Sequence, residues 1–404
     1  MSLAVGCERQ ERDDDSNTDP GATDADGEAD GSGDSNEGDG DYCTLVEDGP
    51  GPSGGAEVTA EEVAADLEVP WGVAFVDTDT MLVTERPGRL RLVDGGELVD
   101  EPLAEVDVDD SGEAGLLGIA LDPEFDENGR FFMYMTVEED GDSLNRVESW
   151  TFDDSGDEPS ASRDEVVVDD IPADTIHDGG RLRVGPDDML YIGTGDAGEP
   201  DRSQDEDSLA GKVLRVTPEG EVPEDNPIED NPVYISGIRN TQGFDWRDDS
   251  TMYVVDHGPS GEMGRTGHDE ANVAEAGDNL GWPDIYGCED EEGMRPPSLT
   301  WEQAVPPGGA AVYDGEAIGE WQGDLIMGIL GARHLHRVSF EEDSPRVEEH
   351  EVYMQGDPSA GGLGRVRDVI MGPDDELYVT TSNCDGRGNC PDDGDKILRI
   401  VPEE

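Results

Sequence analysis

One histidine stands in a segment that is suited to proton transfer near a ligand. His177 lies in Thr175-Ile-His-Asp-Gly-Gly-Arg-Leu182, directly before an apolar stretch. Histidine is the side chain that most readily exchanges a proton near neutral pH, and the paired glycines that follow allow a ligand to approach the backbone closely. The chain has only six histidines. Taken alone, His177 could also simply hydrogen-bond the backbone.

Arginines and an amide form a second group of candidates. Arg239 and Asn240 stand together between glycines, and Arg365 and Arg367 are two residues apart. Side chains alternate along a strand, which predicts that Arg365 and Arg367 share one side of it. Arginine suits planar anionic partners such as carboxylates or a quinone oxygen. The alternative for this pair is a set of surface salt bridges with neighbouring acidic residues.

A third group combines carboxylates, amides and glycines in one long segment. Asp256-His-Gly-Pro-Ser260 leads into Asp269-Glu-Ala-Asn272 and then Gly277-Asp-Asn-Leu-Gly-Trp282. Carboxylate, amide and backbone oxygens on glycine-rich loops are typical calcium ligands. Because acidic loops occur throughout the chain, composition alone leaves this metal site undecided.

Two near-identical segments indicate the elements that hold these residues. Val184-Gly-Pro-Asp-Asp-Met-Leu-Tyr-Ile-Gly-Thr-Gly-Asp196 is matched by Met371-Gly-Pro-Asp-Asp-Glu-Leu-Tyr-Val-Thr-Thr-Ser-Asn383. Each reads as strand, tight turn and strand. A polar loop and a further short strand follow each copy, Lys212–Val216 and Lys396–Ile400. The repeating unit is therefore longer than a hairpin.

Weaker copies of the unit raise the total to six. They begin near residues 73, 117, 243 and 325. Repeated short strands with Gly and Asp turns, and little helical periodicity, predict an all-β, six-bladed β-propeller. Long inserts at about 196–209 and 258–312 interrupt the pattern. Such loops are usually functional, and the site is expected over the central channel, where loops of several blades meet.

The charge of the chain excludes one class of partner. Asp and Glu number 102 against 25 Lys and Arg, giving a net charge of −77. Nucleic acid is therefore excluded as a partner. This charge fits a surface that stays hydrated in concentrated salt, as in salt-loving cells, where repulsion is screened within about 3 Å at 1 M; an acidic binding surface is the alternative. No stretch approaches the roughly 20 apolar residues of a membrane span.

The N-terminal region reads as a separate part. Residues 1–57 are predicted to hold a signal remnant and a disordered acidic tether, and residues 58–404 the propeller. Leu3-Ala-Val-Gly-Cys7 resembles the end of a lipoprotein signal, with translation then starting further upstream. Cys7 would be a lipid anchor at the extracellular face of the membrane, the alternatives being secretion and a chance cysteine.

Four further cysteines suggest disulfides, since exported proteins retain them. The close spacing of Cys384 and Cys390 favours their pairing. Cys43 with Cys288 follows by elimination and would pin the end of the tether to the propeller.

The motifs occur in the order found in a known family. The chain resembles the soluble glucose and aldose sugar dehydrogenases from about Val69 to Val401. The motifs that carry the resemblance are Glu113-Ala-Gly-Leu-Leu-Gly118, His177 with Gly-Arg-Leu182, Gly237-Ile-Arg-Asn240, His257-Gly-Pro259, Asp269-Glu-x-Asn272, Asn279-Leu-Gly-Trp-Pro283 and Arg365-x-Arg367. Each motif is weak, but the ordered set is specific.

The resemblance implies oxidation of an aldose to its lactone with pyrroloquinoline quinone (PQQ), the electrons passing on to an external acceptor. His177 would be the general base for the anomeric hydroxyl while hydride passes to the quinone. Arg239 would stabilise the developing oxyanion, with Asn240 beside it. Arg365 and Arg367 would hold the carboxylates of the cofactor.

The resemblance also implies calcium. Backbone oxygens at Gly258 and Pro259 would hold it as in the glucose enzymes, where it polarises the cofactor carbonyl. In the aldose type the calcium ligands match Glu270 and the backbone of Leu280. Glu113 matches a position that lines the cofactor.

The chain departs from the family at one position. A lysine that the family offers to the cofactor is replaced by Gly331, which weakens the expectation of tight cofactor binding. Arg333 or His334 could reach the same carboxylate, although Arg and Lys are not interchangeable. Trp301 is the candidate aromatic platform for the cofactor ring.

Two other functions remain open from the sequence. One is a non-catalytic extracellular propeller that binds carbohydrate or protein, since fold does not fix function. The other is a metal-dependent sugar lactonase, which would need a carboxylate-rich metal centre on the propeller axis. The sequence does not indicate which sugar or which electron acceptor is used.

Overall fold

Six small antiparallel sheets make up the protein, in a computed structural model that describes residues 42–156 and 158–403. We number the sheets as blades, in the order of their innermost strands. Two strands precede the first of these, β1 (Thr44–Val46) and β2 (Val58–Leu67).

The blades follow one another along the chain. Blade 1 contains β3 (Pro70–Phe75), β4 (Thr80–Glu85), β5 (Arg89–Asp94), β6 (Glu97–Leu98) and β7 (Ala104–Glu105). Blade 2 contains β8 (Leu116–Leu121), β9 (Arg130–Glu139), β10 (Asp142–Asp153) and β11 (Ser160–Pro172). Blade 3 contains β12 (Leu182–Val184), β13 (Leu190–Gly193), β14 (Val213–Val216) and β15 (Val233–Ile235).

The second half repeats this arrangement. Blade 4 contains β16 (Thr241–Trp246), β17 (Thr251–Asp256), β18 (Glu270–Glu275) and β19 (Leu299–Trp301). Blade 5 contains β20 (Pro307–Val312), β21 (Leu325–Ile329), β22 (His334–Phe340) and β23 (Val347–Tyr353). Blade 6 contains β24 (Val366–Met371), β25 (Leu377–Thr381) and β26 (Asp395–Pro402). The described helices are short: α1 (Phe125–Asn128) and four 3₁₀ turns, Pro200–Gln204, Glu262–Gly264, Gly319–Trp321 and Pro358–Ala360.

Strands from both ends of the chain complete blade 6. The outermost strand of this blade is β2, which pairs antiparallel with β26 so that Val58 lies opposite Pro402. The innermost strands β3, β8, β12, β16, β20 and β24 lie side by side around the axis. The predicted six-bladed propeller is thereby confirmed.

Apolar side chains fill the space between neighbouring blades. In one cluster, Leu117 and Phe132 of blade 2 pack with Ile192 and Leu214 of blade 3, and all four are fully or almost fully buried. A strand covered on both faces is expected to be a continuous apolar run. Strand β21, Leu-Ile-Met-Gly-Ile, is buried at every residue. These buried strands hold the loops at the ends of the blades in place.

The near-identical segments have a common structural cause. In blade 3 the hydroxyl of Tyr191 donates to Asp187 at 3.0 Å. In blade 6 the hydroxyl of Tyr378 donates to Asp374 at 2.8 Å. Each bond ties the second strand of a blade to the turn before it, so the Gly-Pro-Asp-Asp turn and the following tyrosine recur together.

The segment from residue 42 to 57 lies against blades 4 and 5. Strand β1 pairs parallel with β19, and Ser53 forms a bridge with Val352. Both predicted disulfides are confirmed, Cys43–Cys288 and Cys384–Cys390. Cys7 and most of the acidic tether lie outside the described residues, and the boundary at residues 57 and 58 stays a prediction. Within residues 42–156 and 158–403, no helix is long and apolar enough to cross a membrane.

Candidate active site

Most of the polar residues that the sequence predicts to be functional lie in loops at one end of the propeller. The start of each innermost strand lies next to the end of the second strand, because the two are antiparallel. Loops before the innermost strands and loops after the second strands therefore meet at one face. The residues placed there are Glu113 before β8, His177 before β12, Asp196 after β13, Arg239 and Asn240 before β16, Asp256 at the end of β17 and His257 after it, Arg365 before β24 and Asp385 after β25.

A carboxylate orients the imidazole of His177. The Nδ1 atom of His177 lies 2.6 Å from Asp196 Oδ1, and the indole N–H of Trp282 donates to Asp196 Oδ2 at 2.9 Å. Asp196 is fully buried and His177 is 5% exposed. Since a carboxylate only accepts hydrogen bonds, the proton of the neutral ring resides on Nδ1. Nε2 is left free to accept a proton.

The backbone around His177 is fixed by close contacts. The residue has a left-handed φ of 60°, and its N–H donates to Glu113 Oε2 at 3.0 Å. A Cβ at Gly195 would lie 2.0 Å from the carbonyl oxygen of His177. Only glycine therefore lets the loop that carries Asp196 approach the loop that carries His177.

Asp256 positions Arg239 and Asn240. Its two carboxylate oxygens accept the backbone N–H groups of Arg239 at 2.8 Å and Asn240 at 2.7 Å. Burial raises the pKa of Asp256 to about 6, against the effect of these hydrogen bonds. The guanidinium of Arg239 is buried and donates to Glu262 at 2.6 Å, whereas its Nε has no partner. The Glu262 carboxylate also lies 3.7 Å from His177 Nε2.

Glu113 connects the two loops that carry His177 and Asn240. It accepts the His177 N–H and, at 3.3 Å, the side-chain amide of Asn240. Burial alone would raise the pKa of Glu113, but the hydrogen bond from the His177 N–H and the positive charge of Arg387 lower it below its usual range. Burial lowers the pKa of His257 to about 4, so His257 is uncharged near neutral pH.

A cleft beside this network carries an excess of positive charge. Its lining residues are Trp71, Arg86, Gly112, Glu113, Gln242, His257, Leu330, Arg367, Asp385 and Arg387. Arg367 is buried, its guanidinium lies 5.8 Å from the centre of the Trp71 ring, and its Nε has no partner. Burial lowers the pKa of Arg367 to about 10, so it remains charged near neutral pH. The cleft can therefore accept an anionic, planar molecule.

Arg365 and Arg367 have different surroundings. Arg367 lines the cleft and hydrogen-bonds Gln242. Arg365 pairs with Asp385 at 2.8 Å and donates to the carbonyl of Leu330 at 3.2 Å. Arg365 thus lies behind Asp385, which itself lines the cleft.

Arg387 is a cleft residue that sequence reasoning missed. It lies between the disulfide-bonded Cys384 and Cys390 and pairs with Glu113 at 3.2 Å. Two signals could have identified it, a basic residue in a chain with 25 of them and its place inside a short covalent loop. The Cys384–Cys390 disulfide therefore restricts the loop that carries Arg387 to the cleft.

Trp301 does not lie at the cleft. It belongs to β19, three strands away from the innermost strand β16 and next to the edge strand β1, where its ring is fully buried and its indole N–H donates to the carbonyl of Pro50 at 2.8 Å. Trp71, on the innermost strand β3, is the aromatic residue at the cleft. An outer strand cannot bring its side chains to the propeller axis, so Trp71 corrects the prediction of Trp301.

The region of Gly331 has no room for the lysine of the family. A Cβ there would lie 2.8 Å from the ring of Pro306. Neither proposed substitute lines the cleft, because Arg333 pairs with Asp357 at 2.5 Å and His334 lies 3.1 Å from His336. Arg387 supplies a cationic side chain at the cleft instead.

The predicted calcium residues lie in and beside blade 4. The N–H of Gly258 donates to Asp269 at 3.0 Å, Pro259 is buried, and Leu280 packs between blades 3 and 4. Burial and the charges of Asp256 and Asp269 raise the pKa of Glu270 well above its usual range. Among residues 42–156 and 158–403, no group of three or more His, Cys, Asp or Glu side chains is arranged to hold a metal.

Buried oxygens without partners surround Glu270. Glu270 lies opposite Asp256 on one side and Thr300 on the other. The side-chain oxygens of Asn272, Ser298 and Thr300 are buried and have no hydrogen-bond partner. Unpaired buried oxygens are costly, and a cation would satisfy them.

The fold and the cleft define the class of protein. It is a six-bladed β-propeller with a buried histidine–aspartate pair and a cleft lined by arginines at one end. The sequence profile of the Glucose / Sorbosone dehydrogenase family matches residues 67–398. The chain belongs to this family.

Several characterised proteins are similar to the chain. The PQQ-bound structure of the Streptomyces coelicolor aldose sugar dehydrogenase is 33% identical and superimposes with a TM-score of 0.74, over 86% of this chain and 99% of the other. The Escherichia coli aldose sugar dehydrogenase YliI is 30% identical, over 86% of this chain and 94% of its own length. Quinoprotein glucose dehydrogenase B of Acinetobacter calcoaceticus is 27% identical, over 57% of this chain and 53% of its own.

Proposed function

We propose that this protein oxidises aldose sugars at the anomeric carbon to the lactone, with PQQ as cofactor and an external electron acceptor. The observation that carries the proposal is His177, whose Nε2 is free to take a proton while Nδ1 faces the buried carboxylate of Asp196. Arg239 lies at the same loop cluster, and the relatives named above are dehydrogenases of aldoses and glucose.

The cleft fits PQQ in charge and in hydrogen bonding. PQQ carries three carboxylates and an ortho-quinone, all of them hydrogen-bond acceptors. The buried Nε atoms of Arg239 and Arg367 lack acceptors. Arg367 and Arg387 would hold carboxylates, supported by Arg365, and Arg239 with Asn240 would contact the quinone oxygens. When bound, PQQ supplies the acceptor for the hydride from the anomeric carbon.

The residues of the chain supply the remaining steps. His177 Nε2 accepts the proton of the anomeric hydroxyl as the C–H bond breaks, so the sugar becomes the lactone. The charge of Asp196 stabilises the imidazolium that forms, as carboxylates do in other histidine-based sites. The guanidinium of Arg239 stabilises negative charge that develops on oxygen.

The direct test combines cofactor loading with one substitution. PQQ and calcium are added to the protein in high salt, and dye reduction is measured with a panel of aldoses. Activity should require PQQ and disappear in His177→Ala but persist in His350→Ala, a histidine on the strand β23. If the wild type binds no PQQ, the non-catalytic carbohydrate-binding propeller becomes the better explanation.

The calcium assignment is a separate part of the proposal. Glu270, the backbone of Leu280 and the unpaired oxygens of Asn272 and Thr300 would hold one ion, whose charge would stabilise blade 4. Backbone oxygens of Gly258 and Pro259 would hold an ion nearer to the cleft.

Glu270→Gln tests the first calcium position. Calcium should raise the melting temperature of the wild type but not of this variant. Glu275→Gln is the matched control, because it changes an exposed glutamate of the same strand. Equal responses of wild type and Glu270→Gln would exclude Glu270 as a ligand.

The proposed location is the extracellular face of the membrane or the surrounding medium. Disulfides persist in oxidising compartments, and Cys43–Cys288 and Cys384–Cys390 support export. If Cys7 is lipidated, Cys7→Ser should move the protein from the membrane fraction to the medium. An unchanged distribution would contradict the anchor.

A further inference from the structure

One acidic side chain contacts both residues that act on the substrate. Glu262 Oε1 accepts a hydrogen bond from Arg239 at 2.6 Å and lies 3.7 Å from His177 Nε2. Its other oxygen accepts the N–H of Ser260 at 2.5 Å. The side chain is 27% exposed, so it stands where the site opens to solvent.

The turn that carries Glu262 is open to solvent at its glycines. Gly261 and Gly264 flank the short turn with φ values of 131° and 74°, and a Cβ at either would meet no atom within 4 Å. The neighbouring Met263 is 58% exposed. The ion pair with Arg239 holds this turn at the site, together with the guanidinium of the following Arg265, which donates to the carbonyl of Pro283 at 2.7 Å.

The charge balance at this point bears on which sugars can bind. Arg239 is a buried cation next to the proton acceptor. Glu262 neutralises it, so a carboxylate on an incoming sugar is not attracted by a free guanidinium and is repelled by the nearby anion. Like charges placed together oppose binding, and the effect grows as water is excluded. A carboxylate also accepts hydrogen bonds from sugar hydroxyls.

We propose that Glu262 is a specificity-determining residue, which favours neutral and amino sugars and rejects sugars that carry a carboxylate, such as uronates. This inference rests on the proposed sugar oxidation. It assigns to Glu262 the discrimination by charge, while His177 and Arg239 retain the chemistry.

Glu262→Gln tests the inference, since it removes the charge and keeps the size and the ability to accept a hydrogen bond. With the PQQ-loaded enzyme at the lowest salt concentration that keeps all variants folded, kcat/KM is measured for glucose, glucuronate and glucosamine. The glucuronate-to-glucose ratio should rise about tenfold, mainly through KM. The glucosamine-to-glucose ratio should fall.

Two control variants separate the local charge from other effects. Met263→Ala alters the same turn without a charge change, and Glu292→Gln removes one charge from an exposed loop. Both should leave the two ratios within about twofold of the wild type. The inference would be overturned by an unchanged glucuronate-to-glucose ratio in Glu262→Gln. It would also be overturned by an equal rise of this ratio in Glu292→Gln.

A binding measurement distinguishes failure of this inference from failure of the proposed function. Trp282 lies 5.7 Å from the Arg239 guanidinium, so the change in intrinsic tryptophan fluorescence, compared with that of a Trp282→Phe variant, serves as the binding signal. Glucuronate should bind Glu262→Gln about tenfold more tightly than wild type, without any turnover. Inactive wild type would refute the oxidation, whereas equal glucuronate binding by both proteins would refute the charge selection by Glu262.

Discussion

His177 can act as a base only in the orientation that its neighbours impose. Asp196 faces Nδ1, and Trp282 fixes Asp196 from the other side. An asparagine in place of Asp196 would have the same shape but could donate to Nδ1 and select the opposite tautomer. The buried pair therefore determines which nitrogen meets the sugar.

Asp196→Asn should lower kcat by about 10²–10⁴, because the wrong tautomer leaves Nε2 protonated. KM and the melting temperature should change little. The measurement is steady-state dye reduction across a range of pH, with Asp201→Asn, an exposed aspartate of the same loop, as the control. A kcat within twofold of wild type would show that Asp196 does not orient the base.

Asp178 makes the stability of the protein depend on pH. Its Oδ2 atom is buried without a partner, and burial, with the charge of Glu113 adding to it, raises its pKa to about 8. A carboxyl group whose folded pKa is raised contributes stability that is complete below its unfolded pKa of 3.8 and is lost as pH rises through 8.

Asp178→Asn should therefore be more stable than wild type at pH 9, by about 1–3 kcal/mol, and similar to it near pH 4. Urea unfolding at pH 4, 7 and 9 measures the difference. Asp154→Asn, at an exposed position, should show no such trend. A stability difference that does not grow with pH would mean that Asp178 is already ionised at pH 7.

At the scale of residues, the sequence allowed us to identify side chains that belong to a motif, but not the side chains that contact them in the folded protein. It identified His177 and Arg239 because both stand in short glycine-bounded motifs, and the structure places both next to the carboxylate of Glu262. Asp196, Arg387 and Trp71 come from other blades or loops, so no local pattern reveals their contacts.

The long insert between β13 and β14 is tied down by a buried lysine. Lys212 is fully buried, and its ammonium donates to the carbonyls of Arg202, Ser203 and Ala210 at 2.7, 3.0 and 2.8 Å. These three residues belong to the loop that begins at Asp196. The lysine thus links the loop that orients the base to the core of blade 3.

Lys212→Met should destabilise the protein by about 3 kcal/mol, since three carbonyls would lose a charged donor. It should also lower kcat, because the loop that carries Asp196 would loosen. Lys396→Met is the control, as Lys396 makes ion pairs at the surface with Glu62 and Asp393, and such pairs contribute about 0–1 kcal/mol. Stability is measured by urea unfolding. An equal loss of stability in Lys212→Met and Lys396→Met would contradict a structural role of Lys212 in this loop.

At the scale of elements, the repeat predicted the blades better than their boundaries. The turn and tyrosine of blades 3 and 6 are local, so they show in the sequence. The long strands β10 and β11 of blade 2, interrupted by register shifts, have no counterpart in the repeat. Strand β11 is mostly exposed, so no apolar pattern in the sequence marks its length.

The whole molecule carries far more negative than positive charge. The net charge of −77 is spread over 404 residues, and repulsion of this kind destabilises a compact state until salt screens it.

Raising NaCl from 0.1 to 2 M should therefore raise the melting temperature by roughly 10 °C or more. Calorimetry or circular dichroism measures the shift, and sucrose at matched osmolality controls for solvent exclusion. A melting temperature that falls with added salt would argue for an acidic binding surface instead of a salt-adapted one.

The pairing of β2 with β26 has a consequence for folding during synthesis. Blade 6 needs residues 58–67 and residues 395–402 in the same sheet, so the ring cannot close until residues 395–402 have left the ribosome. Contacts so distant in sequence form slowly, and until then strand β2 lacks its partner β26. Removing residues 395–402 would consequently open the ring rather than shorten it.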